Sequence, residues 1–72
     1  MSFDINKCKV EVGQVWIDPM YGYKYRISCV TSTDCYAISS DTGIERRFGD
    51  LKDGYPYHWA PGWHIEDEQT NV

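Results

Sequence analysis

The sequence predicts an all-β chain, folded as a small, five-stranded, strongly bent antiparallel barrel. Three observations point there. The stretch Tyr23-Lys24-Tyr25-Arg26-Ile27-Ser28-Cys29 alternates apolar with polar side chains, the period of a half-buried strand. Turn-forming clusters recur at short intervals around it, at residues 19–22, 31–34 and 40–43. No amphipathic period of 3.6 extends over about ten residues, so no helix is expected.

Taken in order, residues 1–11 form an N-terminal arm, or an extra strand carried by the alternating Phe3 and Ile5. Residues 12–18 contain Val15, Trp16 and Ile17 and stop at Pro19, giving a first short strand. Pro19 and Gly22 bracket Met20-Tyr21 as a loop. The alternating stretch makes the second strand, with Tyr23, Tyr25, Ile27 and Cys29 on one face and Lys24, Arg26 and Ser28 on the other. Cys35-Tyr36-Ala37-Ile38-Ser39 makes the third and Ile44-Glu45-Arg46-Arg47-Phe48 the fourth. Between them Gly43 takes positive φ without a Cβ clash. Residues 49–54 read as loop or a single helical turn. Pro56 and Pro61 confine any strand in residues 55–62 to a sheet edge. Trp63-His64-Ile65 supplies the last strand, and residues 66–72 an acidic tail. The barrel proper spans residues 12–65. Closure is expected because it protects edges that a flat sheet of short strands would expose.

A chain of 72 residues holds one core. A domain of this size buries only about 60% of its unfolded surface, so it needs large side chains. Three Trp, six Tyr and two Phe supply them. Seven Lys plus Arg stand against eleven Asp plus Glu, a net charge of −4. That balance disfavours non-specific nucleic-acid binding, which draws on a basic surface, and suits a basic protein partner or simply solubility. No apolar run approaches the roughly 20 residues of a membrane span. The N-terminus lacks the pattern of a secretory signal. Three cysteines make no complete disulfide framework. They are expected as reduced thiols in a cytoplasmic protein, with Cys29 in the core; Cys29 and Cys35 meet only in one hairpin register.

Val12-Gly13-Gln14-Val15-Trp16, the loop from Pro19 to Gly22, the long strand ending at Val30, and a last strand near Trp63 together resemble an SH3-like or Tudor-like barrel. The resemblance is one of pattern across residues 12–65. It implies a ligand groove or cage lined by aromatics of the first loop and the final segment, at positions Tyr21, Tyr23, Tyr55, Tyr57 and Trp59. The first loop lacks the acidic cluster of proline-rich-peptide binders, with Asp18 alone preceding it. Pattern and length also resemble small accessory proteins of bacteriophages and prophages.

The expected protein-binding face comprises Trp16, Tyr21, Asp50, Asp53, Tyr55, Tyr57 and Trp59. Tyr and Trp bury much area for little rotamer entropy. Trp63 and Tyr25 are assigned to the core. Trp16 turns outward if Val15 and Ile17 point in; a bulge or packing under the tail hides it instead. Asp50 and Asp53, with Glu66-Asp67-Glu68, make a candidate negative face, against the plainer explanation of solvated carboxylates. Arg46 falls on the face of Ile44 and Phe48, so either a bulge resets the strand or Arg46 sits at the rim.

No Ser or Cys has a nucleophile motif around it. His58 and His64 lack Cys-x-x-Cys partners, so no catalytic residue, metal or cofactor is expected. The leading expectation is a non-enzymatic module that binds a larger protein or assembly, one concrete version being a phage-type inhibitor in anti-defence or host takeover. The alternative is nucleic-acid binding through Lys24, Arg26, Arg46 and Arg47 with stacking Tyr rings.

Overall fold

In the computed structural model, residues 5–66 are described. A single 3-10 turn, Ile5–Lys7, precedes six strands: β1 Val15–Ile17, β2 Lys24–Val30, β3 Asp34–Ser39, β4 Glu45–Lys52, β5 Tyr55–Pro56 and β6 His64–Ile65. They form one curled half-barrel sheet in the order β5-β4-β3-β2-β1-β6, with every neighbouring pair antiparallel. The expected all-β fold is observed. It has six strands rather than five, because Tyr55-Pro56 pairs with Leu51-Lys52 across the two-residue turn Asp53-Gly54. Asp53 (φ 55°) and Gly54 (φ 88°) both take positive φ, as the hairpin turn that follows right-handed strand twist demands. Pro56 stands at the sheet edge, where its missing N–H costs no ladder bond. No helix among the described residues is long and apolar enough to cross a membrane.

The inner face holds the buried core: Val10, Trp16, Ile27, Cys35, Ala37 and Leu51. Val10 belongs to the segment read as an arm, and its N–H donates to the Gly54 carbonyl at 2.8 Å. Ile5 and Cys8 also pack on the core, while Phe3 and residues 67–72 lie outside the described residues. Trp16 is fully buried, which corrects the outward orientation considered for it. The strand points the indole inward and turns Val15 and Ile17 to the outer face, where each is half-buried. The sheet thus buries the largest of three adjacent apolar residues. The indole N–H is satisfied by Gln14 Oε1 at 3.0 Å, so its burial leaves no orphan donor.

Two bulges set the faces. In β2, Ile27 lies opposite Ala37 and Cys29 opposite Tyr36, leaving Ser28 as an extra residue. The bulge reverses the alternation after Ile27, so Cys29 is exposed and Val30 packs inward. This corrects the core position expected for Cys29, since an uninterrupted period of two would have kept it inside. Cys35, opposite Val30, is buried, and all three cysteines are free thiols. In β4, Arg47 faces Tyr36 and Gly49 faces Cys35, leaving Phe48 as the extra residue.

Candidate functional site

Above the buried core, on the open side of the half-barrel, lies a second layer of half-buried rings. Tyr25, Phe48, Trp63 and Trp59 touch in sequence, with Tyr25–Phe48 centroids 5.3 Å apart, Phe48–Trp63 5.0 Å and Phe48–Trp59 5.1 Å. Trp59 reaches down to Trp16, edge to face at 5.1 Å, a geometry favoured by the ring quadrupoles. A hollow of about 230 Å³, lined by Tyr23, Tyr25, Ile44, Arg46 and Asp41, flanks one end of the layer. A second of about 240 Å³ at the other end is lined by Phe48, Tyr57, His58, Trp59 and Trp63.

Local structure explains why each ring sits there. The β4 bulge brings Phe48 and Gly49 under Trp59: a Cβ at Gly49 would lie 2.7 Å from Trp59 Nε1, closer than any side chain allows. Trp59 Nε1 donates to the Asp50 carbonyl at 2.7 Å, and Tyr57 N–H donates to the same oxygen at 3.1 Å. Between them His58 takes φ 63°, a conformation uncommon outside glycine. That reversal breaks the extended course on which Tyr57 and Trp59 would share a face. Tyr57 stays exposed against the His58 ring, centroids 4.0 Å apart, while Trp59 folds inward. Gly62 (φ 101°) approaches Pro19 so closely that a Cβ there would meet Pro19 Cβ at 2.6 Å, which ties the turn before β6 to the β1–β2 loop.

That loop is ordered by Asp18. Its Oδ1 accepts from Met20 N–H at 2.6 Å and Tyr21 N–H at 3.3 Å, and its own N–H donates to the Tyr23 carbonyl at 2.8 Å. An aspartate turn of this kind holds the chain without a core beneath it. Met20 and Tyr21 are accordingly exposed (75% and 69%), with Tyr21 leaning on Tyr23, centroids 5.6 Å apart.

The seven residues expected on one binding face are dispersed. Trp16 is core and Trp59 half-buried upon it. Asp53 forms the β4–β5 turn, and the Asp50 carboxylate is ion-paired with Arg47. Tyr55 is exposed on the edge strand, Tyr57 at the second hollow and Tyr21 beyond the first. Of the expected negative face, Glu66 pairs with Lys24, whereas Asp67 and Glu68 lie outside the described residues.

The four basic residues of the alternative do not form one strip. Lys24 and Arg26 share the outer face with Ile38 and Glu45. Arg47, also outward, pairs with Asp34 (3.7 Å) and Asp50. Arg46 instead ends the lateral row Ile27–Ala37–Arg46 on the inner face, exposed at the rim of the first hollow. It makes no ion pair with a described residue. The β4 bulge lies beyond Arg46 and leaves its orientation unchanged.

Of the first hollow's lining, Ile44 is the residue that sequence reasoning placed only in a strand, whereas Tyr23 was implied for a groove by the resemblance and Arg46 was considered for the rim. The signal for Ile44 is inner-face parity beside the 40–43 turn, past the point where the core closes. Among the described residues no group of three or more His, Cys, Asp or Glu side chains converges to hold a metal ion. Compared with family models, curated proteins and solved structures, the chain finds no match in any of the three.

Proposed function

We propose that the chain is a protein-binding module whose open inner face receives a segment of a larger partner. The observation that supports this reading is the layer Tyr25–Phe48–Trp63–Trp59, left half-buried between two hollows. Its ends carry exposed Tyr23 and Tyr57. Half-covered rings on a stable base bury further area on contact with little entropy left to lose, and Tyr and Trp dominate interface hot spots. The narrower version, an inhibitor of phage type, rests on the resemblance of pattern and length alone. Nucleic-acid binding draws less support, since Lys24 and Arg47 already have carboxylate partners and Arg46 faces away from Arg26.

The test is to select binders from a random peptide library on the folded chain and map them by amide and indole shift changes. Shifts concentrated at Tyr25, Phe48, Trp59 and Trp63 are expected. Perturbation confined to Val15, Arg26 and Ile38 on the outer face would overturn the reading. Oligonucleotide binding that collapses with salt would favour the alternative.

A further inference from the structure

We infer that the partner segment binds as an added β-strand along the free edge of β4, and that it carries an acidic residue between two apolar ones. This rests on the protein-binding reading and names the chemistry of its partner. β4 has β3 on one side, but on the other it meets β5 only at Leu51 and Lys52. From Glu45 to Arg47 it has no strand neighbour on its outer edge among the described residues. Ser39 N–H donates to the Ile44 carbonyl at 3.1 Å, which marks Ser39/Ile44, and two residues on Ala37/Arg46, as the hydrogen-bonded pairs with β3. The N–H and C=O groups of Glu45 and Arg47 therefore point away from β3, as alternate residues of an antiparallel strand do. An extended chain can take up these groups by strand addition.

The side chains along this edge say which chain. Glu45 is held on the outer face by the Ser28 hydroxyl, and Arg47 by Asp34 and Asp50. Arg46, on the inner face, makes no ion pair with a described residue, Asp41 lining the same hollow without reaching it. Two copies of the edge leave Arg46 unsatisfied. A two-fold antiparallel pairing centred on Arg46 sets Glu45 opposite Arg47 but Arg46 opposite itself, and a pairing centred on Glu45 or Arg47 sets that residue against its own like charge. Like charges directly opposite destabilise a ladder, and charged edges are how sheets avoid self-association. A foreign strand with a carboxylate opposite Arg46 meets no such penalty. Residues two positions to either side of that carboxylate share its face. One then lies over the hollow of Tyr23 and Ile44, and the other over Phe48 and Trp63.

The probe is a capped peptide, Thr-Leu-Thr-Glu-Thr-Leu-Thr, titrated against the intact chain. Binding should slow amide exchange at Glu45 and Arg47, which a side-chain-only contact would not do. Arg46→Glu, an exposed change checked for retained fold by circular dichroism, should weaken binding at least about tenfold. A peptide with Lys in place of Glu should restore binding to that variant. Unchanged affinity in Arg46→Glu, failure of the swapped peptide to recover it, or absence of protection at Glu45 and Arg47 would each sink strand addition. If the designed peptide fails while library-selected peptides still shift Trp59 and Trp63, strand addition falls and the module reading survives. If neither binds, both fall.

Discussion

The β1–β3 part of the sheet and the segment from Tyr57 to Trp63 both present aromatic and apolar residues to the same interior, yet they are held in different ways. In the sheet, Trp16, Ile27 and Ala37 are positioned by ladder register, and pairing alone fixes which side chains face in. The 57–63 segment has no strand pairing. Trp59 is placed by one indole hydrogen bond, a glycine beneath its ring and a reversed backbone at His58. The first arrangement is redundant, because each ladder bond supports the next. The second depends on a few specific contacts, and it is there that the rings stay half-covered.

This contrast can be broken at graded cost. Trp16→Ala removes the largest buried side chain shared by both regions and should cost about 3–5 kcal/mol. In so small a domain that is expected to abolish the cooperative urea transition. Gly49→Ala forces a methyl against Trp59. A loss of about 1–3 kcal/mol is expected from overpacking, with a change in Trp emission that marks the 57–63 segment as the part displaced.

The sheet core has its own signature in alkali. Burial pushes the Cys35 thiol up from 9.0 to about 11, an effect only partly offset by hydrogen bonding from the Gly49 backbone. The unfolded thiol ionises first, so the unfolded state binds fewer protons between these values. The contribution is therefore complete below about pH 9 and is lost as pH rises toward 11. Cys35→Ala should flatten that part of a stability–pH profile. At neutral pH a thiol reagent should modify exposed Cys29 in the native chain and reach Cys35 only on unfolding. Smallest of all, Tyr21→Ser should change stability by no more than about 0.5 kcal/mol, since its ring rests on Tyr23 and solvent. A larger loss in chemical denaturation would show that the loop supports the sheet.

The difference between the regions also explains what the sequence made legible. Alternation placed β2 and the turns placed β3 and β4, because these signals are local. It failed at Cys29, where a single extra residue at Ser28 reverses the faces and nothing in the composition of β2 announces it. It failed at Trp16 because Val15, Trp16 and Ile17 are all apolar, so the period does not choose a side; filling a small interior does. For the site, Tyr21 and Tyr57 were read as exposed and are so. Trp59 was assigned to a surface by residue type, whereas it is committed to Trp16 and to the Asp50 carbonyl; Asp50 is exposed as read, with its carboxylate paired to Arg47 across the bulge. Arg46 was visible as a break in pattern, and its position beside a hollow needed the lateral row from Ile27.

The pairing of β1 with β6 joins Trp16 to Ile65, near opposite ends of the chain. During synthesis the nearest-neighbour hairpins from β1 through β5 can form as they leave the ribosome, whereas the flank of β1 stays bare until Ile65 has emerged. Long-range closure of this sort is slow relative to local hairpins. Folding is thus expected to finish only once Ile65 has cleared the exit tunnel, with the Trp16 side of the sheet as the last part shielded. A nascent chain stalled before Ile65 would be the species most prone to capture by a chaperone.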